Sequence, residues 1–220
     1  MLKYLTEPEQ RELLKAARGQ SCPLAQRDYH WMGALILTGM RITEFSRLTA
    51  SRVERALATG WLISSKQDCK GKRRSNSYFV TAQLKVHLAV LVGMSRHEAD
   101  ELAQFCEGEQ PLVWGRLVNG VAGHLSVRSY EARMKLHLAA AGLDTTLSPH
   151  ALRHTRGMNI FKHHRGSDAV KVAQVALNHE SIRSTGVYLH LGREEFARAI
   201  QMVDGRGRLA KADALALEVV

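Results

Sequence analysis

The chain has 220 residues, 45% of them apolar, enough to bury a real core in one large domain or two small ones. Lysine and arginine total 31 against 21 aspartate and glutamate, a formal charge of +10 that suits a polyanionic partner. RNA-binding, ribosomal and membrane-surface proteins share such an excess, so charge alone does not name the partner, but its spread along the chain excludes a basic tail. No stretch reaches the ~20 apolar residues of a membrane helix, and residues 1–12 lack a signal-type apolar run. Cys22, Cys69 and Cys106 have neither paired nor metal-ligand spacing, which excludes a disulfide framework and fits a reducing cytoplasm.

In chain order, Thr6-Glu7-Pro8-Glu9 reads as a capping box opening a helix through Leu13, Leu14 and Ala17. A Gly19-Gln20-Ser21-Cys22-Pro23 loop follows, then a second helix running to Gly39, whose segment 29–37 is apolar nearly all round and so predicts burial. Beyond Gly39, Arg41 and Glu44 stand one turn apart on a helix that turns Ile42, Phe45 and Leu48 to the core, so Glu44 can orient the Arg41 guanidinium. Taken alone, this pair reads more readily as an ordinary surface salt bridge contributing ~0–1 kcal/mol, and a cluster near the C-terminus reverses that preference. Residues 61–66 and 77–81 read as strands around a polar, glycine-containing loop, a β-hairpin. Further helices are expected at 82–92 and 95–106, then a short strand at 112–114. The helix begun by Ser126 repeats Tyr130, Met134, Leu138 and Ala141 at core spacing, leaving Arg128, Arg133 and Lys135 on its other faces for an anionic partner.

The richest chemistry lies near the C-terminus. Ser148 can cap a helix whose first position is Pro149, where an unpaired amide costs nothing. His150, Arg153 and His154 then fall at i, i+3 and i+4, so two imidazoles and a guanidinium share a face at the positive end of that helix. A phosphate is the natural guest: the arginine fork pairs with two of its oxygens, and histidines exchange protons near neutral pH. Leu177-Asn178-His179 follows, and nine positions after His179 stands Tyr188. A phenol ionises near pH ~10, so Tyr188 attacks a phosphodiester only where cations stabilise its phenolate and a neighbour takes its proton. Each residue alone has a bland reading, since the chain holds 11 histidines and His163-His164, for one, reads as helix surface. The joint pattern carries the weight.

Gly39-Met40-Arg41-Ile42-Thr43-Glu44, His150-Ala151-Leu152-Arg153-His154-Thr155, Leu177-Asn178-His179 and the terminal Tyr188 agree in order and internal spacing with one family. The chain resembles the tyrosine recombinases, also called phage-type integrases, over residues 4–200. The resemblance implies an α+β, predominantly helical catalytic-domain fold with a small antiparallel β-hairpin. It implies that Arg41 and Arg153 grip a scissile phosphate, that His150 and His179 position it and handle protons, and that Tyr188 attacks, leaving a 3′-phosphotyrosyl bond. The family also uses a hairpin lysine as general acid for the departing 5′ oxygen. Lys66, which ends the first predicted strand, fits this role, with Lys70 and Lys72 as alternatives in the loop. Those two, with Arg73, Arg74 and His154, would contact DNA. No metal or cofactor is implied, because these cations supply the transition-state stabilisation.

As partners the resemblance implies double-stranded DNA, a homotetramer assembled on it and an accessory DNA-bending protein, in the cytoplasm of a bacterium or encoded by a phage or mobile element. Rival readings are a type IB topoisomerase-like strand transferase and a non-catalytic DNA-binding regulator with the same fold. One departure stands out: the family usually has glycine where Asn178 stands. Asparagine tolerates left-handed backbone angles, so a tight turn there is expected to survive. Leu5-Thr6-Glu7 resembles the beginning of the family's catalytic domain, so residues 1–203 are expected to form that domain without a separate N-terminal core-binding domain. An amphipathic helix is expected at 194–202, and residues 204–220 form a tail that docks on a neighbouring subunit or on its own domain.

Overall fold

A computed structural model describes residues 3–69, 75–164, 166 and 168–179. Lys70, Lys72, Arg73, Arg74, Tyr188 and the expected elements from 194 onward lie outside them. Helix α1 (Glu7–Arg18) opens at Thr6, whose amide and hydroxyl both donate to the Glu9 carboxylate at 2.7 Å, and buries Gln10, Leu13 and Ala17. Helix α2 (Pro23–Thr38) starts on a proline and ends at Gly39 with φ 65°. Its nearly all-round apolar surface has the expected consequence: it packs against α1, α5 (Ala82–Leu102), α6 (Val127–Ala140) and α7 (Pro149–His163). Trp31, Met32, Ala34 and Leu35 are almost fully buried there. Tyr130 of α6 meets Trp31 and Phe45 edge-on, with ring centroids 5.0 and 6.0 Å apart, so the α6 stripe is core, as its spacing predicted.

A buried carboxylate ties α2 to α6. Asp28 accepts from Trp31 Nε1 at 2.9 Å and Arg133 Nε at 2.5 Å, and lies 2.9 Å from His137 Nε2. Burial alone would raise its pKa, but the bonds from His137, Trp31 and Arg133 outweigh it and hold the group below the usual carboxylate range. Arg133 is therefore turned inward, not toward an outside anion as expected.

Short helices α3 (Ile42–Phe45) and α4 (Ala50–Thr59) lead into an antiparallel pair, β1 (Trp61–Ser64) and β2 (Asn76–Phe79), with Leu62 opposite Tyr78 and Ser64 opposite Asn76. The first strand ends two residues before Lys66, not at it. A turn begins at Ser65, whose carbonyl accepts from the Asp68 amide, and Asp68 is drawn aside by Arg47 and Arg52.

The helices expected at 82–92 and 95–106 are one helix, α5, followed by a single 3-10 turn at Ala103–Phe105. Leu84, Leu88, Leu91, Ser95 and Ala99 form one continuous buried stripe, and Ser95 satisfies its hydroxyl on the Pro111 carbonyl at 2.6 Å. Residues 112–114 are buried but do not form a strand. Leu112 donates to Leu48, whereas Val113 accepts from Leu125 and Trp114 bridges to His124, so the segment changes partner before a ladder can grow. Helix α8 (Ala169–Ala176) closes the described chain. No helix among the described residues is long and apolar enough to cross a membrane.

Candidate active site

Three sequence boxes that lie far apart in the chain meet at Arg153. Its side chain projects from α7 into the interior, 2% exposed, where Nη1 donates to the Gly39 carbonyl and Nη2 to the Leu177 carbonyl, both at 2.6 Å. Gly39 follows the last residue of α2 and Leu177 the last of α8. Each contributes a carbonyl from a helix C-terminus, where helix dipoles favour a cation, so two helix ends help to stabilise one buried guanidinium. Gly39 must be glycine for two reasons. Its φ is 65°, and a Cβ there would lie 2.5 Å from Leu177 Cδ2 and 3.0 Å from Arg156 Cγ. Arg41, two residues on, is the N-cap of α3.

The Leu-Asn-His box is the C-terminal cap of α8. Asn178 adopts φ 50°, donating its amide to the Val175 carbonyl at 3.0 Å, and the His179 amide returns to Gln174 at 2.9 Å. These two bonds define a Schellman cap, in which the residue after the helix must take a left-handed conformation. The tight turn expected from asparagine's tolerance is therefore present. Ser148 does stand at the N-cap of α7, but its side chain makes no capping hydrogen bond; Pro149 alone marks the start.

Arg41 is held by Glu44, as the sequence suggested, through Nη1 at 2.9 Å. Glu44 does more than that pairing required. It is fully buried and also accepts from Tyr78 Oη at 2.8 Å, Asn76 Nδ2 at 3.1 Å and Ser64 Oγ at 3.4 Å. The carboxylate thus fixes the hairpin to the arginine. Burial, then the Glu44 charge, pushes the Tyr78 phenol up, which keeps it protonated as a donor. Glu44→Gln preserves shape but turns an NH2 toward donors and removes the counter-charge of Arg41. We expect a loss of about 2–3 kcal/mol in chemical denaturation. An unchanged midpoint would contradict the hub role.

The imidazoles cluster with these arginines. The rings of His150 and His154 meet edge-on, centroids 4.5 Å apart. Burial, helped by His150 and Arg153, lowers His154 to about 4. Burial also lowers His179 to about 4, and the further causes are the charges of Arg153, Arg41, His154 and His150. All four charges thus lie within electrostatic range of the His179 ring. Two arginines beside imidazoles held neutral at pH 7 make a site that favours an anion. His30, elsewhere in the fold, is held down to about 4 by burial, His87 and Arg18. Between about 6.5 and about 4 the unfolded chain therefore takes up protons that the folded one refuses at these three histidines, so stability falls as pH falls through that window. Melting temperatures should be lower at about pH 5 than at about pH 7; equal values would contradict the depressed pKa values.

The structure brings together Arg41, His150, Arg153, His154, His179 and Glu44. Lys66 lies exposed in the turn after β1, beside an open cavity of ≈ 640 Å³ that Arg52, Arg55, Trp61 and Ile63 also line. Sequence reasoning missed Ser64, Asn76 and Tyr78. Their signal was present, since polar groups at inward-facing strand positions need a buried partner. The Asn178 side chain was missed as well: Nδ2 donates to the Ser77 carbonyl of β2 at 3.0 Å.

Comparison with known proteins gives this arrangement a lineage. Residues 3–195 match the phage integrase family. The tyrosine recombinase XerD of Pseudomonas putida is 27% identical over 192 residues, covering 87% of this chain and 58% of that protein. The chain thus spans somewhat under two thirds of the curated relatives' length. Its fold matches the XerH site-specific recombinase bound to palindromic difH substrate in a post-cleavage complex, with TM-score 0.68, 18% identity, and coverage of 92% of this chain and 54% of that one. The catalytic domain of bacteriophage HP1 integrase is matched with TM-score 0.56 and 16% identity, covering 91% of this chain and 95% of that domain. An arginine on a glutamate hub, a second arginine capping two helices, and a capped histidine thus sit on a shared scaffold, and the chain belongs to the phage integrase family of tyrosine recombinases.

Proposed function

We propose that the chain is the catalytic unit of a site-specific recombinase that cleaves and rejoins double-stranded DNA through a 3′-phosphotyrosyl bond. The observation that carries this reading is the convergence of Arg41, His150, Arg153 and His179 from three boxes onto one cationic site. Such a site binds a phosphodiester and stabilises the charge of its pentacoordinate transition state. The Tyr188 oxygen attacks phosphorus and the bond to the 5′ oxygen breaks. A neutral imidazole, His179 for preference, takes the phenolic proton, and a hairpin lysine gives one to the departing oxygen. Lys66 is the first choice for that acid, with Lys70 and Lys72 as alternatives. Attack by a 5′ hydroxyl from another strand reverses the steps and restores the tyrosine.

Lys70, Lys72, Arg73, Arg74 and His154 would meet DNA phosphates. Assembly as a homotetramer on DNA, with an accessory bending protein, would set the direction of a reaction that conserves bond energy. Residues 1–203 would form the catalytic domain and 204–220 an intersubunit tail, working in the cytoplasm. The experiment is covalent capture: the protein is incubated with a nicked duplex library of randomised sequence, and adducts that survive denaturant are recovered and sequenced. A recurrent site joined to Tyr188 is the expected result; the absence of any adduct would refute the reading.

A further inference from the structure

We propose that Asn178 is a positioning residue that locks the lysine-bearing hairpin to the active site, a role that rests on the recombinase reading above. The backbone of Asn178 is engaged in the α8 cap at φ 50°, a conformation that glycine adopts with no penalty and asparagine with little. The cap therefore does not call for its side chain. That side chain instead crosses to the hairpin, where Nδ2 donates to the Ser77 carbonyl at 3.0 Å. The acceptor is a carbonyl, so only the amide nitrogen can face it.

Ser77 lies between Asn76 and Tyr78, the two β2 residues that donate to Glu44. The Asn178 bond therefore closes a ring. Arg41 is held by Glu44, Glu44 by Asn76 and Tyr78, their neighbour Ser77 by Asn178, and the adjacent Leu177 by Arg153, which returns to Gly39 two residues before Arg41. The inner face of the hairpin is anchored by the Glu44 carboxylate and by Leu62 and Tyr78, which pack into the core. The Asn178 bond adds an attachment to the β2 backbone from a different element, the cap of α8, and so fixes the hairpin relative to the Leu-Asn-His box. The part it steadies is the turn that carries Lys66, where a general acid must come within hydrogen-bond reach of the 5′ oxygen. His179 is the next residue after Asn178, so one residue couples the spacing of base and acid.

The test uses the full chain and a duplex recovered by covalent capture, prepared with oxygen or with sulfur at the 5′ bridging position. A thiolate leaves without being protonated, so a defect in presenting the acid disappears with sulfur. Asn178→Gly keeps the cap and deletes the bond. We expect it to cleave the oxygen substrate about tenfold more slowly than wild type, the worth of one ordinary hydrogen bond, and the sulfur substrate at the wild-type rate. A general loss of folding would slow both substrates equally, so the ratio of the two rates isolates the effect. An equal ratio in variant and wild type, or an undiminished rate with oxygen, would overturn the positioning role. Tyr188→Phe should cleave neither substrate. A wild-type protein that cleaves neither would refute the recombinase reading itself, and this role with it.

Discussion

Tyr188→Phe is expected to bind DNA as tightly as wild type and to form no covalent adduct, a rate loss on the order of 10⁴-fold or more. The substitution removes one oxygen and leaves the ring, so whatever packing the residue makes is preserved and binding by the cationic cluster is untouched. On the proposed mechanism, what disappears is the atom that becomes bonded to phosphorus. In that mechanism the histidines serve the phosphate as hydrogen-bond and proton partners, and water lacks the oriented approach that intramolecular attack provides. The measurement is gel separation of denaturant-stable adducts alongside a binding isotherm on the captured duplex. An adduct formed by the Phe protein at a comparable rate would place the nucleophile elsewhere, and a large loss of binding would mean that the phenol serves structure more than chemistry.

Much of this site could be read from sequence because its residues obey helical spacing. His150, Arg153 and His154 are consecutive ridges of one helix, and Arg41 and Glu44 are one turn apart, so local geometry places them before any tertiary contact forms. The core stripe of α6 and the burial of α2 follow from the same periodicity. What failed was structure settled by long-range partners. The segment 112–114 has strand composition, but its hydrogen bonds run first to Leu48 and then to the 123–125 segment. The 82–92 and 95–106 helices are one, whose buried stripe continues through the polar Ser95, satisfied by the Pro111 carbonyl, a partner invisible along the helix itself. The Glu44 hub and the Asn178 crossing escaped for the same reason: each joins residues 20 or more positions apart, 101 in the second case. Arg153 was read as a phosphate clamp on one face. Its two bonds to helix ends add a bracing role that no spacing rule contains.

That second role divides the expected behaviour of Arg153 variants into two measurable parts. Arg153→Ala leaves the Gly39 and Leu177 carbonyls without a donor in a site from which water is largely excluded. Charge-assisted bonds of this kind are worth ~1.5–3 kcal/mol each, and local relaxation recovers part, so the variant should lose about 3–5 kcal/mol in chemical denaturation. A typical domain stability is roughly 5–15 kcal/mol, so cleavage is assayed at low temperature on protein whose folded signal is retained, and Arg153→Lys serves where the Ala variant unfolds. Cleavage there should still fall by at least ~10³-fold, because the transition state loses a preorganised cation. Nonspecific DNA affinity should barely change: one phosphate contact of many is lost, and the slope of log affinity against log salt drops by about one. Arg153→Lys separates the roles further. An ammonium keeps the charge and reaches one carbonyl, which restores part of the stability, but it cannot hold two helix ends and two phosphate oxygens with a planar fork. Cleavage should therefore stay low while the melting temperature recovers. Wild-type stability in the Ala variant would refute the bracing, and wild-type cleavage in the Lys variant would show that charge alone, without the fork that joins α2 to α8, is what the reaction needs.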